Sequence, residues 1–443
     1  MRFDWRHPTR LVPLAFFATI VIGTLLLSLP VARVGAGGAP LITALFTSTS
    51  AVAVTGLITV DTPTYWTGFG QAVILCLFQI GGFGVMTAAT LLGLVAGRGI
   101  RLRQRLLTST ERSRIERGDV ASVLKLVLVI TLIVELLLAA WLAIRLHTEH
   151  GEPLGQAAWN GLFHAVSAFN NAGFSTYSDS LMGLNSDALF LVPIMLAIVV
   201  SALGFPVFQD VREFGGRWDR YSLHSKITIS GTILLLIVGF ANMAIAEWNN
   251  PATLGSMDVG AKLLNAAFHS VTPRTAGFNS IDVGAMNMEA LAVTSLLMFI
   301  GGGSAGTAGG IKITTFFLLG IITWSEIRGQ RDATIFGRRV GQHIERQALA
   351  LVLLALALIG IATIAILGMT RLQLHEVLFE TVSAFATVGL STGITADLPP
   401  LALLILIVLM FVGRVGTITI ATALALGAGR VPYRYPEEEP IIG

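Results

Sequence analysis

Charge is scarce in this chain. Of 443 residues, 29 are Lys or Arg and 26 are Asp or Glu, so 12% are charged, against about 25% in an ordinary soluble protein. A soluble chain of this length would form about three domains, and none would have enough charge to cover its surface. Low-complexity tracts are missing too, and at 54% hydrophobic residues the chain is too apolar to stay disordered. A single cysteine, Cys76, excludes an internal disulfide and any multi-cysteine metal site; it reads as a small buried hydrophobe. His-Glu-x-x-His, Gly-x-Ser-x-Gly and paired catalytic carboxylates are all lacking, which argues against a membrane enzyme. No Gly-x-Gly-x-x-Gly follows a strand, so the chain carries no recognisable nucleotide-binding domain. The basic residues have no interleaved aromatics suited to stacking on bases, which points away from nucleic acid.

Long apolar runs are what the chain has instead. Stretches able to cross a bilayer, about 20 residues each, fall at 11–29, 71–96, 123–145, 188–208, 227–246, 289–322, 347–368 and 401–427. The first leads straight into more membrane sequence, so it reads as a retained span rather than a cleaved leader. Eight spans put both termini on one side. Of the 29 basic residues, 21 lie in the N-terminal segment, 97–118, 212–226, 326–346 and the tail from 428. The opposite loops hold only Arg33, Arg145, Lys262 and Arg371. By the positive-inside rule both termini are cytoplasmic.

Between the spans, one motif recurs at 45–57, 162–174, 267–278 and 378–390, with glycines at 56, 173, 277 and 389. The spacing marks an internal repeat of about 110 residues, each unit being span, short helix, Gly loop, span. The units divide at 1–96, 97–211, 212–325 and 326–427, followed by a tail at 428–443. Each short segment has room for about ten helical residues, too few to cross, so it enters the membrane and returns. Irregular backbone at that depth is tolerated only in protein or beside a water-filled cavity. The fold expected is an all-α integral membrane protein of four pseudo-symmetric units around one central pore.

Four such loops would offer rings of backbone carbonyls in place of an ion's hydration shell. Glycine accepts a positive φ and adds no side chain to narrow the pore. The pore-helix C-termini add negative dipole ends, favouring a cation. The candidate filter strands are Val54-Thr55-Gly56, Asn171-Ala172-Gly173, Thr275-Ala276-Gly277 and Thr387-Val388-Gly389. The carbonyls of Thr55, Asn171, Thr275 and Thr387 are the candidate ligands for a potassium ion. Helix-packing glycines are the alternative, and four copies at matched places weigh against it.

The run 289–322 is interrupted by Gly301, Gly302, Gly303, Ser304, Ala305, Gly306, Thr307, Ala308, Gly309 and Gly310. Six glycines in ten residues at ~1 kcal/mol each predict a broken helix. No strand precedes the segment, so it does not read as a phosphate loop. It reads as a flexible loop beneath the filter, obstructing the pore. Charges at membrane depth are functional candidates. Lys312 follows this loop, and Arg414 lies mid-way along the last run, placed to hydrogen-bond the loop or to add a positive barrier. Glu380, Arg274 and Glu135 are the others; for Arg274 a structural role is expected, donating to pore-loop carbonyls. His164 and His269 share one place in the repeat and lack further ligands at metal spacing, so local hydrogen bonding is expected.

Ser-Val-Thr-Pro-Arg-Thr-Ala-Gly-Phe (270–278) and Ser-Ala-Phe-Asn-Asn-Ala-Gly-Phe (167–174) resemble the Trk/Ktr/HKT superfamily of potassium transporters, and the likeness covers essentially the whole chain. The compact length is most similar to the KtrB membrane subunits. The resemblance implies four M1–P–M2 units, potassium uptake across a bacterial cytoplasmic membrane, and gating by the 301–310 loop and an arginine at the place of Arg414. It implies no covalent cofactor, with sodium left open as an activator. The implied partners are a second copy in a homodimer, the membrane lipid and a cytosolic RCK-type, KtrA-like ring carrying the nucleotide. An alternating-access cation symporter of less selective Na/K type remains the alternative. The tail is expected to be extended by its two prolines, with Ile441 and Ile442 docking against a second protomer.

Overall fold

The computed structural model describes residues 8–105, 117–330 and 332–416. The tail at 428–443 and the end of the last apolar run lie outside the described residues. Unit one contains α1 (Pro8–Leu27), α2 (Leu41–Val52), the single turn α3 (Thr62–Tyr65) and α4 (Gly68–Arg105). Unit two contains α5 (Arg117–Thr148), α6 (Leu154–Asn170), α7 (Ala188–Leu203) and α8 (Phe205–Phe214). Unit three contains α9 (Leu223–Ala246), α10 (Val259–Val271), α11 (Met288–Phe299) and α12 (Ile313–Ile327). Unit four contains α13 (Gln342–Met369), α14 (Leu374–Ala386) and α15 (Pro400–Phe411).

The short helices α2, α6, α10 and α14 are 12, 17, 13 and 13 residues long. At 1.5 Å per residue they reach roughly 18–25 Å, short of the ~30 Å hydrocarbon core. Their starts are set locally. Asp258 accepts from the Gly260 and Ala261 amides, and Gln373 with Glu376 forms a capping box. Their ends are buried: Ser50, Ala168 and Ala386 have no exposed surface.

Each short helix packs against the first helix of its own unit: α1 on α2, α5 on α6, α9 on α10, α13 on α14. Each also packs against the helix that follows the Gly loop of the preceding unit: α4 on α6, α7 on α10, α11 on α14, and α15 back on α2. That last contact closes the circle, so four units surround one axis.

Three features depart from the sequence reading. The run 188–208 is not one span: α7 and α8 meet at Gly204 with a bend of 91°. The connection before α13 carries a small antiparallel hairpin, β1 (Thr334–Ile335) with β2 (Arg338–Arg339). Its turn residues Phe336 and Gly337 both have positive φ, the geometry of the tight hairpin turn that matches strand twist. Finally, Cys76 is exposed. Its neighbours Val73, Ile74, Leu77 and Phe78 fill the inward face of α4, and helical periodicity turns Cys76 outward. Lipid is as apolar as the core, so apolar residues such as Leu137 and Ile364 stay exposed.

Candidate functional site

The four loops meet at their glycines. Gly56, Gly173, Gly277 and Gly389 all have positive φ, from 70° to 94°. A Cβ on Gly56 would lie 2.5 Å from Ala172 O, one on Gly173 2.9 Å from Ala276 O, and one on Gly277 2.5 Å from Val388 O. One on Gly389 would overlap Thr55 O. The order 56, 173, 277, 389 and back to 56 is a closed ring, with each glycine lying against the carbonyl of the next unit. Two residues before each glycine, Val54, Asn171, Thr275 and Thr387 also take positive φ, from 51° to 69°. Thr55 sits one residue further on, level with Ala172, Ala276 and Val388. The four candidate ligands named from sequence therefore straddle two layers, with Val54 as the true counterpart of Asn171, Thr275 and Thr387.

A hydroxyl in each pore helix holds its loop, and these four positions are not singled out by the sequence reading. The amides of Thr55, Ala172, Ala276 and Val388 donate to the carbonyls of Ser50, Ser167, Thr272 and Ser383 at 2.7–2.9 Å. The side chains of the same residues then reach the glycine or the residue after it. Gly56 N and Gly389 N donate to Ser50 Oγ and Ser383 Oγ at 3.1 Å. Ser167 Oγ donates to Phe174 O at 2.8 Å, and Thr272 Oγ1 to Phe278 O at 2.5 Å. The available signal is a Ser or Thr six residues before each glycine, five in the shorter third copy.

On one side, the ring opens into a cavity of about 530 Å³, lined by all four glycines and by Asp61, Asp179 and Asp282. On the other side lies the 301–310 segment. α11 ends at Phe299 and α12 starts at Ile313, and the two strands of the loop's neck pair through Ile300 and Ile311. Gly301 N donates to Ile311 O at 2.8 Å, and Ile313 N to Gly302 O at 3.1 Å. The loop touches the ring directly, since Gly309 N donates to Thr275 Oγ1 at 3.2 Å.

Three of the intramembrane charges, Arg414, Lys312 and Arg274, gather here. Arg414 is buried and donates from Nη1 to Thr307 O at 2.5 Å. It sits in a π-helical turn, Val412–Gly416, that follows α15. A Cβ on Gly413 would overlap Phe385 O, so glycine lets this turn press against α14. Lys312 Nζ donates to Ala308 O at 2.5 Å. Arg274, 1% exposed, donates to Ile300 O at 3.1 Å, at the neck of the loop rather than to a pore-loop carbonyl. Glu380 and His164 occupy one repeat position and perform one task. Glu380 accepts from Ser391 Oγ, while His164 Nδ1 donates to Asn160 O at 2.7 Å and its Nε2 pairs with Ser175 Oγ at 2.9 Å. Ser391 and Ser175 each follow a ring glycine by two residues. His269 Nε2 pairs with Thr294 Oγ1 at 3.2 Å. Glu135 is buried and accepts from Gln79 Nε2 at 3.1 Å and Asn170 Nδ2 at 2.9 Å.

This arrangement has known counterparts. The TrkH family of cation transport proteins matches the chain over residues 3–428. The chain belongs to that family. The chain is 40% identical to Ktr system potassium uptake protein B of Bacillus subtilis over 98% of its length and 97% of that protein. It is 37% identical to potassium/sodium uptake protein NtpJ of Enterococcus hirae, over 98% of its own length and 97% of that protein. The crystal structure of the potassium transporter TrkH from Vibrio parahaemolyticus superposes with a TM-score of 0.74 at 18% identity, over 94% of this chain and 85% of that one. The fold is the TrkH fold, and the family is one of transporters, not enzymes.

Proposed function

We propose that this chain is a potassium uptake transporter of the KtrB type, with Gly56, Gly173, Gly277 and Gly389 forming its selectivity filter. The observation that carries the reading is the closed ring, in which each glycine lies against the carbonyl of the next unit. Rings of fixed carbonyls replace the hydration shell of a cation. Two layers are available, one at Val54, Asn171, Thr275 and Thr387, the other at Thr55, Ala172, Ala276 and Val388. The pore-helix C-termini aim their negative ends at the same point, and the cavity with Asp61, Asp179 and Asp282 supplies it with cations.

On this reading the four units divide near 97, 212 and 326, positions that fall within α4, α8 and α12, so that each of the first three units runs on to the end of that helix. The 301–310 loop is the gate, held by Arg414 and Lys312. The faces rich in Lys and Arg are cytoplasmic, which puts the cavity outside and the gate inside. Likeness to the KtrB proteins supports a homodimer and a KtrA-like cytosolic ring that carries the nucleotide. NtpJ and the KtrB relatives also make sodium the activator to test. Growth of a potassium-uptake-deficient bacterium at low potassium, with and without sodium, tests the reading. Rescue by the parent chain is expected, and no rescue under either condition, with the protein present in the membrane, contradicts it.

A further inference from the structure

The loop at 301–310 is held from a second side. α7 and α8 would continue as one helix but for Gly204, where the chain turns through 91°. Gly204 has φ 87° and ψ 154°, a conformation closed to other residues. A Cβ there would overlap Ser304 O and lie 3.0 Å from Gly306 N. The last carbonyls of α7 have no partner within their own helix, and the loop provides one. Gly303 N donates to Ala202 O at 2.8 Å, and Thr307 N to Ser201 O at 3.2 Å. In return, Phe205 N at the start of α8 donates to Ala305 O at 3.4 Å. Side chains on the loop would not fit this contact: a Cβ on Gly306 would fall 2.8 Å from Ser201 O. The loop tip therefore sits between the break in unit two and Arg414 of unit four.

α8 links this contact to α9. Midway along α8, Asp210 accepts from Ser222 N at 2.8 Å and Ser222 Oγ at 2.6 Å, at the N-cap of α9. Phe208 and Val211 leave its outer face exposed. The helix is thus a ten-residue arm, fixed to the loop tip at its first residue and to the first helix of unit three at its middle.

We infer that residues 201–205 position the gate loop and that α8 is the arm that sets its place, so that freeing α8 releases the loop tip. The inference rests on the gate reading of 301–310. The test is rubidium uptake and potassium-over-sodium preference in proteoliposomes. Gly204→Ala and Asp210→Ala are each measured in the full chain and in a chain lacking residues 304–307. Each substitution is expected to raise maximal uptake several-fold in the full chain, to leave ion preference unchanged, and to add nothing once the tip is gone. Asp210→Ala lies outside the contact with the loop and touches Ser222 instead, so it remains informative even if Gly204→Ala fails to insert. An Asp210→Ala effect of equal size with and without the tip, or no effect in the full chain, overturns the assignment. Failure of the 304–307 deletion itself to raise uptake refutes the gate reading instead, and the two failures are distinguishable.

Discussion

At Ser383 one residue does two jobs: its main-chain carbonyl accepts from Val388 N and its side-chain hydroxyl from Gly389 N. Replacing it with Ala leaves the glycine amide buried without a partner, at a cost of about 1–3 kcal/mol. Ser383→Ala is therefore expected to lower the melting temperature of the solubilised protein and to weaken potassium preference, while Ser383→Thr, the residue type unit three uses at Thr272, retains both. Calorimetry together with ion competition checks this. On the rim of the fold, burial would raise the pKa of Asp187, but the bond from Arg145 and the contact with His150 outweigh it and hold the carboxyl below its ordinary range. A depressed folded-state value gives stability that is present above the unfolded pKa and is lost as pH falls through the folded one. Thermal stability should thus drop as pH falls through and below the ordinary carboxylate range, and Asp187→Asn should flatten that drop. At this scale, the glycines were legible because four copies align. The four hydroxyls sit in the same alignment, yet Ser and Thr are so common near turns that only the bonds reveal their part.

Elements were legible where composition breaks sharply. Six glycines in 301–310 predict a loop, and the structure places one between Phe299 and Ile313. The bend at Gly204 was missed because hydropathy stays high through 188–208 and carries no information about direction. The local signal was there: Gly204 just past α7 and Pro206 in the first turn of α8, the pairing of a C-terminal glycine with an N-terminal proline. The π turn at Val412–Gly416 has no comparable signature, since it arises from the press of Gly413 against Phe385. Arg414→Ala removes a charge-assisted bond to the loop, worth about 1.5–3 kcal/mol. It should raise the maximal transport rate by about tenfold or more while leaving ion preference intact, as measured by rubidium flux. A folded, inserted variant that transports at or below the parent rate speaks against the loop as a barrier.

For the whole molecule, the number of units was readable from glycine spacing alone. Their arrangement around one pore follows from the four matched loops, whereas the particular helix pair that closes the circle, α15 on α2, has no signature in the sequence. In a membrane protein the lipid-facing surface is as apolar as the core, so Cys76 and Leu77 look alike in sequence although one is exposed and the other buried. The tail at 428–443 lies outside the described residues, and its proposed role in the homodimer stands on the apolar pair Ile441 and Ile442. Removing residues 440–443 should weaken the homodimer and lower transport, and crosslinking with light scattering reads the first effect; a dimer as stable as the parent's would return the tail to an ordinary polar end.

The account as a whole stands on the glycine ring, and it is tested most directly by the potassium-to-sodium permeability of the reconstituted chain and of four single variants, Gly56→Ser, Gly173→Ser, Gly277→Ser and Gly389→Ser. Each added side chain meets a carbonyl of the next unit, so each variant should lose potassium preference and let sodium compete. Four inserted, transporting variants with the parent's preference would contradict the filter.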